Sequence, residues 1–133
     1  DLSLLRSAGL AHDIARIQED HGAVAADILQ ELGYQDEADI IRHHMHYPLA
    51  AHMDKLTACD LVCLADRLVI EDQYVGLDKR FDYILHKNEN QAMAKEKILQ
   101  AKAQTRQLLD EMEAVLGQSI DSLFCPKQET TER

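Results

Sequence analysis

Tryptophan is absent from the 133-residue chain, proline occurs twice, glycine five times, and aromatic residues make up 5%. A composition this poor in breakers and this rich in alanine and leucine favours an all-helical domain. No internal repeat or strand-like alternation is long enough to argue otherwise. Positive charge is scarce too: 14 Lys and Arg stand against 24 Asp and Glu, for a formal charge of −10. Without a basic run, repulsion from the phosphate backbone excludes a nucleic-acid partner. A short anionic metabolite stays open, because a metal ion or a few arginines reverse the field locally. No apolar run approaches the ~20 residues that span a bilayer, and the opening DLSLLRSAG carries no signal peptide. A cytoplasmic protein with no membrane partner is the expectation. Three cysteines, an odd number, fall at 59, 63 and 125. Cys59 and Cys63 lie one helical turn apart in an apolar stretch and read as small core residues rather than as a metal or disulfide pair.

What is present is a chain 46% hydrophobic, enough for one domain with a real core. Leu2, Leu5, Ala8, Gly9 and Ile14 mark one apolar helical face over residues 2–16. Asp20 reads as the N-cap of a second helix, HGAVAADILQEL, which stops at Gly33. QDEADIIRHHMH reads as a third, ended before Pro48. LAAHM then leads to a fourth helix that opens at Asp54 or Lys55 and runs to about Asp72. Val75 and Gly76 break it, LDKRFDYILHK forms a fifth, and residues 89–116 form a long amphipathic helix. SIDSLF offers one more turn, and CPKQETTER is a polar tail. The expected plan is a helical core over 1–88, a C-terminal helical extension over 89–124 and a tail over 125–133. The long helix either packs back on the bundle or makes a homodimer contact.

In the fourth helix, KLTACDLVCLADRLVIED, a turn of ~100° per residue puts Asp60, Arg67 and Glu71 on one sector, read as the solvent face. Asp66 falls away from it, among Cys59, Val62 and Ile70. A buried, unpaired carboxylate costs several kcal/mol, so Asp66 must be ion-paired or capped, protonated, or bound to a metal. Four histidines of the first half, His12, His21, His43 and His44, occupy helical positions. His21 sits in a first turn, where the helix dipole disfavours imidazolium and leaves a neutral ring free to ligate. His43 and His44 point apart, and the face shared with Ile40, Ile41 and Pro48 makes His44 the inward one. His46 and His52 near the connector, and His86 at a helix end, read as surface residues. Taken singly, each histidine reads more readily as a structural residue than as a ligand. Taken together, His12, Asp13, His21, His44 and Asp66 form a mixed nitrogen and oxygen set on four successive helices. Bundle cores gather such sets around Mn, Fe, Zn or Ni. No HExxH or CxxC is present.

GLAHDIAR, DHGAVAADIL, IIRHHMHYP and LVCLADRLV follow one another over residues 9–69. In that order they resemble the motifs of the HD-domain superfamily of metal-dependent phosphohydrolases. The resemblance selects His44 and Asp66 as the motif residues. LADRLVIEDQYVGLDKRF is similar to HD domains that accompany molybdenum-cofactor nucleotidyltransferases, and the arrangement is also similar to HD-type hydrolases that split dinucleoside tetraphosphates. What the resemblance implies is an all-α HD-domain helical bundle with a long C-terminal helix. It implies one or two divalent transition-metal ions (Mn, Fe, Zn or Ni) held by His12, Asp13, His21, His44 and Asp66, with Asp13 bridging where both are present. It implies a phosphohydrolase in which metal-activated water attacks a nucleotide or another small phosphate ester or anhydride.

Arg16, one turn after His12, is the candidate to offset phosphoryl charge, by analogy with the basic residue of the HD signature. An ion pair with Asp20 is the alternative. The family carries a further metal-binding histidine on a helix upstream of the HD pair. Only eleven residues precede His12, none of them His, and DLSLLRSAG shows no cap or start signal. The expectation is therefore a chain without its N-terminal helices and with an incomplete ligand set. Two non-catalytic readings stand beside the enzyme: a regulatory or nucleotide-sensing HD module, and a structural helical dimer.

Overall fold

Asp1 starts the first helix. In the computed structural model, which describes residues 1–44 and 48–124, its carboxylate accepts from the main-chain N–H groups of Ser3 (2.8 Å) and Leu4 (3.4 Å). A helix's first N–H groups have no partner inside the helix, and an aspartate at the cap position supplies one. Helix α1 (Leu2–Ala11) ends five residues short of the 2–16 that the apolar spacing predicts. Beyond Ala11 the ladder tightens to i+3 bonds, from Ile14 to Ala11 (3.2 Å), Arg16 to Asp13 (3.0 Å) and Gln18 to Ala15 (2.8 Å). Ala15 is still buried in the same core as Ala8, so the periodicity outlasts the helix.

Helix α2 (His21–Glu31) begins where expected, but Asp20 caps it only by position. Its backbone is left-handed (φ 52°) and its side chain makes no cap hydrogen bond. Gly33, at φ 90°, carries the chain out of α2 through a conformation that residues with a side chain rarely adopt. Helix α3 (Gln35–Ile41) is shorter than its predicted span, because a turn with the bond from His44 N–H to Ile41 C=O (3.2 Å) replaces its last turns. Residues 45–47, which include His46, and 125–133, which include Cys125 and the polar tail, lie outside the described residues.

Helix α4 (Ala58–Asp66) departs from the helical wheel at both ends. Thr57 and Asp60 cap its start reciprocally: the Asp60 carboxylate accepts from the Thr57 N–H (2.7 Å), and Thr57 Oγ1 accepts from the Asp60 N–H (3.3 Å). The same carboxylate accepts from the Thr57 hydroxyl (2.7 Å) and from the Ala50 N–H (2.9 Å). Asp60 is therefore not on a solvent face; it is 1% exposed, its charge met by first-turn and loop donors. At the other end the chain leaves the helix after Asp66, not near Asp72. Strands β1 (Val69–Ile70) and β2 (Gln73–Tyr74) form an antiparallel hairpin, Val69 opposite Tyr74, around Glu71 at φ 55°. The spacing of Val62, Asp66 and Ile70 stays helical across the break, which is why periodicity misses it.

The described residues fall into two compact units, one of residues 1–50 and 54–66, the other of 51–53 and from 67 on. The first packs α1, α2, α3 and α4 around Ala8, Ala25, Ala26, Ala38, Ile41 and Val62. Alanines at the crossings let the helices approach closely. In the second, α5 (Leu77–Lys87) packs on the long α6 (Ala92–Leu116), and α7 (Ile120–Phe124) follows. Arg67, read from the wheel as outward, is half-buried here and donates to the hydroxyl of buried Thr105 (2.8 Å). No helix among the described residues is long and apolar enough to cross a membrane.

Candidate metal centre

The five residues of the sequence-derived set come together at helix ends within the first unit. His12 is the residue on which α1 ends and Asp13 is the next, His21 opens α2, His44 stands in the turn after α3, and Asp66 is the last residue of α4. Asp13 is the hub. Its Oδ1 lies 3.1 Å from His21 Nε2 and 3.8 Å from His44 Nε2, and its Oδ2 lies 3.5 Å from His12 Nε2. Asp66 Oδ1 meets His12 Nε2 at 3.4 Å, which supplies the partner its place in an apolar sector demands. The rings pack on one another: His12 and His44 are edge to face with centroids 5.1 Å apart, and His21 tilts against His44 at 5.2 Å. His44 forms the floor, with its side chain 2% exposed, while Asp13 at 39% and Asp66 at 34% stand nearer solvent. Of the neighbouring histidines, His43 is exposed.

Two of the three rings are oriented by the backbone. Both rings use the helix-end carbonyl three residues back: His12 Nδ1 donates to Gly9 C=O, and His44 Nδ1 donates at 2.8 Å to Ile41 C=O, which also accepts the His44 N–H. A carbonyl only accepts, so Nδ1 carries the proton in each bond. In the neutral ring Nε2 is then left with its lone pair facing the centre, the state a metal ligand requires. Cys63, one of the two free cysteines described, adds a third tie by donating its thiol to the His44 carbonyl (3.4 Å).

The electrostatics separate the two rings. The hydrogen bond to Asp66 is the largest influence on His12 and, with the Gly9 carbonyl and the Asp13 and Asp66 charges, outweighs burial; its pKa rises to about 9. Burial dominates at His44 and lowers its pKa. The neighbouring carboxylates thus favour the charged form of the His12 ring, while burial favours the neutral form of His44.

His12, Asp13 and His44 each offer a ligand atom, and these atoms all lie within 4.8 Å of one another. His21 reaches the group through Asp13, and Asp66 through His12. Imidazole nitrogen with carboxylate oxygen, rings pre-aligned on carbonyls, fits a divalent transition metal. Arg16 is exposed, and its main-chain N–H donates to the Asp13 carbonyl (3.0 Å). Gly9, Ile41 and Cys63 went unrecognised in the sequence as parts of the site. The available signal is positional, a histidine just past a helix end within reach of the carbonyl three residues back.

A family model described as HD domain matches residues 1–70. An uncharacterized protein of Methanocaldococcus jannaschii is 31% identical over 107 residues, which cover 66% of this chain and 63% of that protein. No solved structure gives a significant match.

Proposed function

The chain belongs to the HD-domain family, and from that premise we propose that it is a metal-dependent phosphohydrolase acting on a nucleotide or another small phosphate ester or anhydride. The observation that carries the reading is the convergence of His12, Asp13 and His44, with two rings fixed on backbone carbonyls so that Nε2 faces the centre. His12, Asp13, His21, His44 and Asp66 would hold one or two ions. A bound divalent metal supplies a water acidified towards neutral pH and a Lewis acid for phosphoryl oxygen.

The chain's own residues do the rest. Asp13 presents its two oxygens to different imidazoles, so one carboxylate links both halves of the centre. Asp66 holds the His12 ring from the side opposite Gly9. Arg16 supplies the positive charge that a phosphoryl group needs, and its exposed side chain is free to swing towards a substrate. The resemblance to HD domains beside molybdenum-cofactor nucleotidyltransferases and to dinucleoside tetraphosphate hydrolases narrows the first substrates to test to nucleotides and dinucleoside polyphosphates. The matching segment is 63% of the length of the archaeal relative, so the activity proposed is that of this domain.

The test is phosphate release from a nucleotide and dinucleotide panel with Mn(II) or Fe(II). Turnover by the wild type, lost in Asp13→Ala, is the expected result. Nucleotide binding with no turnover, and no effect of Asp13→Ala, would replace the enzyme with a nucleotide-sensing module.

A further inference from the structure

We propose that Gly22 is a positioning residue for His44: the missing side chain sets how close the turn after α3 lies to α2, and with it the reach of the His44 imidazole towards Asp13. This inference rests on the metal-centre reading above and names the device that holds one of its ligands in place.

Gly22 sits in the first turn of α2, one residue after His21. Glycine in a helix is less stable than alanine by about 0.5–1 kcal/mol, so its presence there calls for a reason. The backbone does not give one, since Gly22 is absent from the positive-φ positions. The reason is contact. A Cβ on Gly22 would lie 3.1 Å from Arg42 C=O, 3.1 Å from His44 Nδ1 and 3.2 Å from Ile41 C=O. All three atoms belong to the turn that carries His44, and two are the partners of the Nδ1–H to Ile41 bond. A methyl group would press on both ends of the bond that orients the ring.

The turn has little freedom to yield. The Arg42 guanidinium is tied back to α2 by Asp27 (2.7 Å) and Gln30 (3.0 Å). The Cys63 thiol holds the His44 carbonyl from α4. Ile41 and His44 are buried. The displaced group is backbone and a packed ring, not the tip of a flexible chain. At 3.8 Å, His44 already makes the longest of the three imidazole contacts to Asp13, so a shift of a few tenths of an ångström falls on the contact with least slack.

The experiment is a double-mutant cycle on the full chain, read by Co(II) titration through the visible absorption of the bound ion. Gly22→Ala, His44→Ala and the double variant are compared with the wild type. Losing an interaction that orients a ligand typically weakens metal affinity 10–100-fold, so Gly22→Ala is expected to lose about tenfold or more. In the His44→Ala background the same change should cost less than about twofold, because its target is gone. Wild-type affinity in Gly22→Ala, or an equal loss in both backgrounds, would overturn the assignment. So would a Gly22→Ala chain that does not fold, since the glycine would then serve the fold rather than the ligand. A second readout needs no metal: the imidazole ¹⁵N–¹H correlations of the metal-free protein. Gly22→Ala should move the His44 Nδ1–H signal and leave that of His12 in place. If the wild type takes up no cobalt, the metal-centre reading fails on its own, and unchanged His44 ring signals would overturn the positioning role separately.

Discussion

A histidine placed just past a helix end has the carbonyl three residues back within reach, and this site uses the geometry twice, at Gly9 and His12 and at Ile41 and His44. The result is a pair of rings aimed at one point, which would lower the reorganisation that metal binding requires. Asp66 completes the arrangement from α4. Asp66→Asn keeps the shape and removes the charge, and is expected to weaken metal retention roughly 10–100-fold in competition with a chelator. Unchanged retention would remove Asp66 from the site. His12, Asp13, His21, His44 and Asp66 were all legible in the sequence, because chemistry-bearing side chains in motif order are visible there. The carbonyls that aim the rings were not, since a main-chain acceptor leaves no mark on residue identity. Cys59 is a milder case. Burial pushes its thiol up, so slow alkylation at neutral pH is expected, and a rate like that of free cysteine would contradict its placement.

At the scale of elements, the legible helices are those whose ends carry local signals. LDKRFDYILHK follows Gly76 and becomes α5 over the residues expected, and the long α6 is interrupted by no breaker before Gly117. Helix α4 was misread at its start, where the helical wheel passes over the local capping pair of Thr57 and Asp60, and at its end, where the break keeps the apolar spacing. Asp60 illustrates the cost of that misreading. A carboxylate assigned to solvent is a buried tie among Thr57, Ala50 and the start of α4. Asp60→Ala leaves those donors unmet in the interior, and a loss of about 2–4 kcal/mol in chemical denaturation is expected. A change under about 0.5 kcal/mol, the range of ordinary surface substitutions, would contradict it.

A second tie lies in the other unit. Glu111 on α6 accepts from the His52 ring (2.7 Å) and the Met53 N–H (2.8 Å), and the His52 bond is the main reason its pKa is lowered. A lowered carboxyl pKa stabilises the fold above the unfolded value of 4.5, and the effect is lost as pH falls through the folded one. Glu111→Gln should therefore lower the urea midpoint at neutral pH and leave it unchanged in acid below both values. An equal effect at both pH values would show that the charge is not what matters.

Across the whole molecule, the helical class followed from composition, and the family match covers the residues that carry all five site groups. The five side chains come together only when the ends of α1, α2, α3 and α4 meet, so their grouping reports on the folding of that entire unit. A metal bound there stabilises the fold by mass action: at about 100 times its Kd an ion adds about 2.7 kcal/mol. Removal with a chelator is expected to lower the melting temperature by several degrees, with recovery on adding Mn(II) or Co(II).

The central claim is that these helix ends form a metal centre, and elemental analysis of the purified protein tests it most directly. Wild-type protein should carry near-stoichiometric transition metal, and Asp13→Ala should carry almost none while keeping the wild-type circular dichroism spectrum. A wild type free of metal that also takes none up from Mn(II), Fe(II), Co(II) or Zn(II), or an Asp13→Ala variant with undiminished metal content, would contradict it.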